Sequence, residues 1–230
     1  MSPDSVKKEI GQFYDQIGWQ LEGDVYQNAR YEDLRPVSAE YIHRCHMRVK
    51  RHLALTGDFL LDAGSGPVQY DEYLTYSQDY RYRVCMDLSV VALQEARKRL
   101  GEKGVYVNAD IANLPFKDDT FDGIVSLHTI HHVPIEEKVG VYKGLHRTLK
   151  PGRSMVTVDG WAEVPLAKAM NFFMRVANRL RLWTGKEAPK MPPDVQPNGQ
   201  NGAGAKLPAG TFVLKTSAKW FHDVMKDQLP

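Results

Sequence analysis

Three aspartates, each at or just beyond the end of a short apolar run, carry the chemistry that this sequence can express. Asp62 follows Phe59-Leu60-Leu61, Asp87 follows Val84-Cys85-Met86, and Asp110 follows Val105-Tyr106-Val107-Asn108-Ala109. The first is succeeded by Gly64-Ser65-Gly66, a tight turn at which a ligand can approach the backbone closely. Asp87 falls about twenty residues beyond the glycines, where an acid meets ribose hydroxyls in dinucleotide folds. A carboxylate suits a ribose because it accepts from both hydroxyls at once. The dinucleotide fingerprint itself is broken, since Gln69 stands where G-x-G-x-x-G needs a final glycine or alanine. No Gly-Lys-Ser/Thr follows the turn, so a P-loop is not expected either. The bland reading of Asp87 and Asp110 is that they cap helices or turns. Asp122, just before another apolar run, is open between a structural and a functional role.

The elements needed to hold these acids side by side can be read from pattern. Strands are expected at 59–61, 82–86, 105–109, 121–127 and 154–159, several apolar on consecutive positions as a two-sided parallel sheet requires. Helices alternate with them. A helix over 37–54 places Tyr41, Ile42, Cys45, Val49 and Leu53 on one face, and Gly57 stops the chain before the next strand. Its other face carries His43, Arg44, His46, Arg48, Lys50, Arg51 and His52, which reads first as a solvated basic stripe. A short helix falls within 68–78. Ser89 caps a helix over 90–100, and one over 135–149 ends at Lys150-Pro151-Gly152. Strands and helices alternating in this way make an α/β fold with a doubly wound, mostly parallel sheet.

Flanking this core, residues 5–35 hold Phe13, Tyr14, Trp19, Tyr26 and Tyr31 and read as a short helix and a loop. They form either an arm packed on the core or an aromatic lid over a pocket. An amphipathic helix is expected over 165–183, a Pro/Gly-rich flexible loop over 185–210, and a last helix over 216–228. The expected organisation is 1–56 as arm and helix, 57–160 as ligand-binding core, and 161–230 as cap.

A chain of 230 residues has room for such a core with a cap. Its 43% hydrophobic and 25% charged residues are ordinary for a globular protein, and a net charge of +2 does not argue for nucleic acid. Cys45 and Cys85 have no metal-ligand spacing and form no disulfide framework, which suits a reducing cytoplasm. The start of the chain lacks a signal-peptide core, and no run approaches the ~18 apolar residues of a spanning helix.

The motifs together resemble class I S-adenosylmethionine-dependent methyltransferases. Leu61-Asp62-Ala63-Gly64-Ser65-Gly66 is similar to their first motif and Met86-Asp87-Leu88-Ser89 to their second. Asn108 to Phe116 resembles the third, with its Leu114-Pro115-Phe116, and Phe121-Asp122-Gly123-Ile124-Val125-Ser126 the fourth. Leu145 to Gly152 is similar to the helix and turn before their fifth strand. The resemblance spans about 55 to 160. It implies a Rossmann-like methyltransferase fold and S-adenosyl-L-methionine as cofactor. It further implies that Gly64, Ser65 and Gly66 hold the methionine part through backbone groups, with Asp62 helping to place its amino group. Asp87 would bind the ribose, Leu88 and Ile111 would flank the adenine, and Asp110 would accept from the adenine amino group. Ser126 would lie near the methionine amino group and the methyl. Many relatives have a third glycine where this chain has Val68. They also finish the sheet with an antiparallel hairpin, for which this chain has no sequence left beyond one short strand at 211–215, so a sheet lacking its last strands is expected.

His128, His131 and His132 follow the fourth strand. No Asp, Glu or Cys beside them in sequence completes a metal site, and none is expected. His128 is the candidate to orient an acceptor or act as a base, with ordinary packing as its alternative. Strand four continues Ser126-Leu127-His128-Thr129, unlike the Asn-Pro-Pro-Tyr run of many DNA amino-methyltransferases. A small-molecule methyl acceptor is therefore expected, and no nucleic-acid partner. The alternatives are a regulatory protein that binds S-adenosylmethionine without transfer, or a lipid or quinone methyltransferase docked on a membrane through the basic helix at 165–183.

Overall fold

The computed structural model describes residues 2–19, 21–22, 25–26, 36–54, 56–159, 172–177, 179 and 212–228. Five strands form one parallel sheet: β3 (Gly57–Ala63), β4 (Tyr80–Asp87), β5 (Gly104–Asn108), β6 (Gly123–Leu127) and β7 (Met155–Val158), in the order β5-β4-β3-β6-β7. Chain order reverses between β3 and β6, so the crevice outside the carboxyl ends of these strands is the place where such a sheet binds ligands. A two-stranded ribbon, β1 (Leu21–Glu22) with β2 (Val25–Tyr26), precedes it. Helices are α1 (Pro3–Phe13), α2 (Pro36–Lys50), α3 (Asp71–Leu74), α4 (Val90–Leu100), α5 (Ile135–Thr148) and α6 (Ala218–Met225).

Both faces of the sheet are buried, which is why its strands read as near-continuous apolar runs. Leu61, Ala63, Met86 and Ile124 pack with Val141 and Leu145 of α5 and with Met225 of α6. Leu60, Cys85 and Val125 pack on the other face with Leu93 and Ala96 of α4 and with Val49 and Leu53. The helix ends follow the expected chemistry: Ser2 caps α1 ahead of Pro3, and the Ser89 hydroxyl accepts from Ala92 N at 3.1 Å.

Several expectations shift. The first segment contains, besides α1, a π-helical turn at Tyr14–Gly18 and the β1–β2 ribbon where only a loop was expected. Residues 212–215 form no strand; they dock on the loop after β6, with Leu214 N donating to His131 O at 2.7 Å. Of the helix expected over 165–183, residues 172–177 are helical, and the expected loop over 185–210 lies outside the described residues. Asp122 is structural: its carboxylate accepts from Asp58 N and Phe59 N at 2.9 and 3.2 Å and pairs with Lys150 at 2.9 Å. Burial raises its pKa, yet Lys150 and the two amides outweigh this and hold it below the ordinary value.

Arg83 on β4 and Asp62 on β3 are charges placed deep in the core, both essentially without exposure. The guanidinium donates through Nε and Nη2 to Asp62 Oδ2 and through Nη1 to the carbonyl of Tyr73, joining two strands to α3. Removing one member of such a pair strands the other charge in the core, at a cost of about 3–5 kcal/mol. Arg83→Leu should therefore lower the unfolding free energy by about that amount in urea titrations. Adding Asp62→Leu should recover a good part of the loss, because both charges are then gone.

Candidate functional site

The carboxyl ends of β3, β4 and β5 meet at a cavity of about 270 Å³. Asp62, Gly64, Ser65, Gly66, Asp87, Leu88, Asp110, Ile111 and His128 all line it. Ser126 does not: it is buried, and its hydroxyl donates to Ala63 O at 2.8 Å. Through that bond it braces β3, the strand from which the glycine turn leaves.

The turn is shaped by steric necessity. Gly64 has φ +75°, and a Cβ there would fall 2.2 Å from Thr129 Cγ2. Gly64 N and Ser65 N donate to Met86 O at 2.7 and 3.1 Å, and Gly66 N donates to Asp87 Oδ2 at 2.8 Å. All three amides of the turn are thus spent on β4 and its end. Val68 has φ +55° and is fully buried. A β-branched side chain rarely enters that region, which explains why a glycine suits the position; here burial of the isopropyl group holds the strained backbone.

Asp87 is fixed from both sides, since its Oδ1 accepts from Ser89 N at 2.9 Å. Burial nevertheless pushes its carboxyl up to about 6 against the pull of the Ser89 and Gly66 amides. Asp110 accepts from Ala112 N at 2.9 Å and from Asn113 Nδ2 at 3.0 Å. It also receives Lys7 at 2.7 Å, which pairs with Glu137 at 2.8 Å. Burial alone would lower the Lys7 pKa, but the two carboxylates outweigh it and hold the ammonium charged.

Lys7 belongs to α1, and sequence reading missed it. With Ile10, Gly11, Tyr14 and Trp19 it brings the N-terminal arm over the cavity, as the lid alternative required. Tyr14 and Trp19 stack with centroids 5.1 Å apart. The Tyr14 hydroxyl lies 2.9 Å from His132 Nε2, and His132 Nδ1 lies 2.7 Å from Phe212 O. A carbonyl only accepts, so Nδ1 carries the proton and Nε2 accepts from Tyr14. Burial, then His131, lowers the His132 pKa to about 4 and keeps the ring neutral. His131 instead pairs through Nδ1 with Asp159 at 2.5 Å. Among the described residues, no cluster of three His, Cys, Asp or Glu side chains could hold a metal ion.

The cavity is also lined by His46, Gln69, Tyr70, Tyr73, Leu127 and His128. His46 is not on a solvated stripe. Its ring packs against Tyr70 and Tyr73, with centroids at 4.5 and 4.8 Å. His128 sits at φ +56° just beyond β6, its N donating to Val158 O at 2.6 Å. Burial, then His131, lowers its pKa and leaves a neutral imidazole.

Residues 61–157 match the methyltransferase domain family. The chain carries a class I S-adenosylmethionine-dependent methyltransferase domain. Over 167 residues it is 24% identical to the methyltransferase GfsG of Streptomyces halstedii, covering 68% of this chain and 59% of that one. Over 76 residues it is 34% identical to a sterol 24-C-methyltransferase of Schizosaccharomyces pombe, covering 33% of this chain and 18% of the relative. The chain thus spans less than two thirds of either. In fold, it is similar to phosphoethanolamine N-methyltransferase 1 of Haemonchus contortus, solved with phosphoethanolamine and S-adenosylhomocysteine. The TM-score is 0.59 at 13% identity, covering 71% of this chain and 34% of that chain.

A ligand held by the Asp87 carboxylate would bind with a pH-dependent affinity. The folded value of this carboxyl, about 6, lies above the ordinary 3.8, so its contribution to ligand-free stability is full below pH 3.8 and lost as pH rises through about 6. A ligand hydroxyl that donates to Asp87 has the opposite preference and needs the ionised form. S-adenosylhomocysteine affinity, measured by calorimetry, should be flat above about pH 7 and fall as pH drops below about 6, by up to about tenfold per unit. A flat profile from pH 5 to 8 would show that Asp87 takes no ligand hydroxyl.

Proposed function

We propose that the chain is an S-adenosylmethionine-dependent methyltransferase that acts on a small molecule of neutral, apolar or aromatic character. One observation carries this reading: three acids at adjacent parallel strand ends converge with a glycine turn on a single cavity roofed by an aromatic arm. The cavity suits the cofactor. Asp87 offers the remaining lone pairs of its two oxygens to the ribose hydroxyls. Leu88 and Ile111 supply apolar walls for the adenine, and Asp110, with Lys7 closed over it, lies at the same end. Asp62 directs its Arg83 bonds to Oδ2 alone, leaving Oδ1 for the amino group.

When bound, S-adenosylmethionine supplies a methyl group already activated by its sulfonium, so the protein contributes mainly alignment and proximity. Methyl transfer is a direct displacement that needs the acceptor atom in line behind the methyl carbon. The aromatic end of the cavity, with His46, Tyr70 and Tyr73, is placed to seat the acceptor. Among the described lining residues Lys7 is the only Lys or Arg, and two carboxylates already claim it. The wall thus favours an uncharged acceptor over a phosphate or carboxylate. His128, neutral and at the cavity end of β6, would take the proton of a hydroxyl or amine acceptor; a carbon acceptor without such a proton would not use it.

A second reading concerns delivery of a lipid acceptor. Phe172, Phe173 and Met174 are each 60–65% exposed on the helical stretch 172–177, beside Arg175. Among the described residues no helix is long and apolar enough to cross a membrane, so contact through this stretch would be peripheral. The two free cysteines, Cys45 and Cys85, suit a reducing cytoplasm.

Asp87→Ala should weaken S-adenosylmethionine binding at least about tenfold in calorimetry, on the order of 1.4 kcal/mol for a lost charged hydrogen bond. Product detection across neutral aromatic, sterol and quinone acceptors then separates a transferase from a binding protein that never turns over. Flotation with anionic liposomes checks the second reading: wild type should co-float, and Phe172→Glu with Phe173→Glu should not.

A further inference from the structure

The wall around the glycine turn offers a ligand acceptors and almost no donors. The amides of Gly64, Ser65 and Gly66 are all engaged by Met86 O or Asp87. The carbonyls are engaged too, Gly64 O by the Thr129 hydroxyl, Ser65 O by Val68 N and Gly66 O by the Ser65 hydroxyl, which leaves the carboxylates of Asp62 and Asp87 among the groups that line the cavity here. Such a wall attracts an ammonium and repels a carboxylate. An amino-acid zwitterion lodged there must find its anion partner elsewhere, and Lys7 is held by Asp110 and Glu137.

Two buried polar atoms that line this cavity have no hydrogen-bond partner among the described residues: Trp19 Nε1 and Gln69 Oε1. Both flank the turn. A Cβ on Gly66 would come within 3.0 Å of the Trp19 ring, and Gln69 follows Gly66 by three residues. Leaving each unpaired is costly, and a ligand supplying the missing partner removes that cost. Their chemistries are opposite and complementary to a zwitterion. An indole N–H only donates, and an amide oxygen only accepts.

We infer that Trp19 and Gln69 are the pair that recognises the amino-acid end of the methyl donor, the indole N–H taking its α-carboxylate and the amide oxygen sharing its α-ammonium with Asp62. This rests on the proposal that the cavity binds S-adenosylmethionine. It gives the arm a specific task. Trp19 reports, from the end of the π-helical turn, whether the bound nucleoside carries an amino acid.

Two ligands with the same thioether-linked nucleoside test this: S-adenosylhomocysteine, with the amino acid, and 5′-methylthioadenosine, without it. Calorimetry on wild type, Trp19→Phe and Gln69→Leu should show S-adenosylhomocysteine weakened tenfold or more by each substitution. Methylthioadenosine affinity should stay within twofold. Equal losses for both ligands, or no loss for either, would overturn the assignment. Trp19→Phe keeps the stacked ring and Gln69→Met is the fallback if Gln69→Leu does not fold. Wild type that binds methylthioadenosine as tightly as S-adenosylhomocysteine defeats the pair but spares the functional proposal. Wild type that binds neither defeats both.

Discussion

The buried pair of Arg83 and Asp62 is the interaction on which the rest of the architecture depends. It lies between the two strands whose ends define the cavity, and its third bond reaches the carbonyl of Tyr73, in α3 beside the aromatic end. An ion pair in a low-dielectric core gains little net stability over apolar residues of similar size. What it contributes here is placement. Asp62 can present a charge to the cavity only because a guanidinium neutralises it from behind. The same guanidinium sets how far α3, with Tyr70 just ahead of it, stands from the sheet. One buried side chain therefore ties the cavity wall at Asp62 to the wall at Tyr73.

Much of this was legible in the sequence, for a physical reason. Consecutive apolar residues ending in an acid describe a strand buried on both faces and terminating at water, and the acid marks where the burial stops. This located β3, β4 and β5 and their three aspartates to within a few residues. Val68 was legible as an oddity, and its left-handed backbone shows what the oddity was. The bond of Ser126 to Ala63 O was not legible, because a motif position does not reveal which partner a buried hydroxyl finds.

What the sequence concealed are contacts between distant segments. Lys7 reads as one charge in a polar N-terminal stretch, yet it closes onto Asp110 and Glu137. His46 sits among basic residues and was grouped with them by charge; only the packing of α2 against Tyr70 and Tyr73 turns it inward. Arg83 stands in a strand among aromatics and offers no local sign of its partner. In each case the decisive neighbour lies tens of residues away, beyond any periodicity.

The His132 ring joins segments from both sides of the core. Tyr14, 118 residues earlier, reaches one nitrogen, and Phe212, 80 residues later, reaches the other. The roof of the cavity is thus strung in series, like a cord knotted at its middle. A load applied to either segment is transmitted through one imidazole to the loop beside His128. The arm and residues 212–214 therefore share one fastening point beside the loop that follows β6.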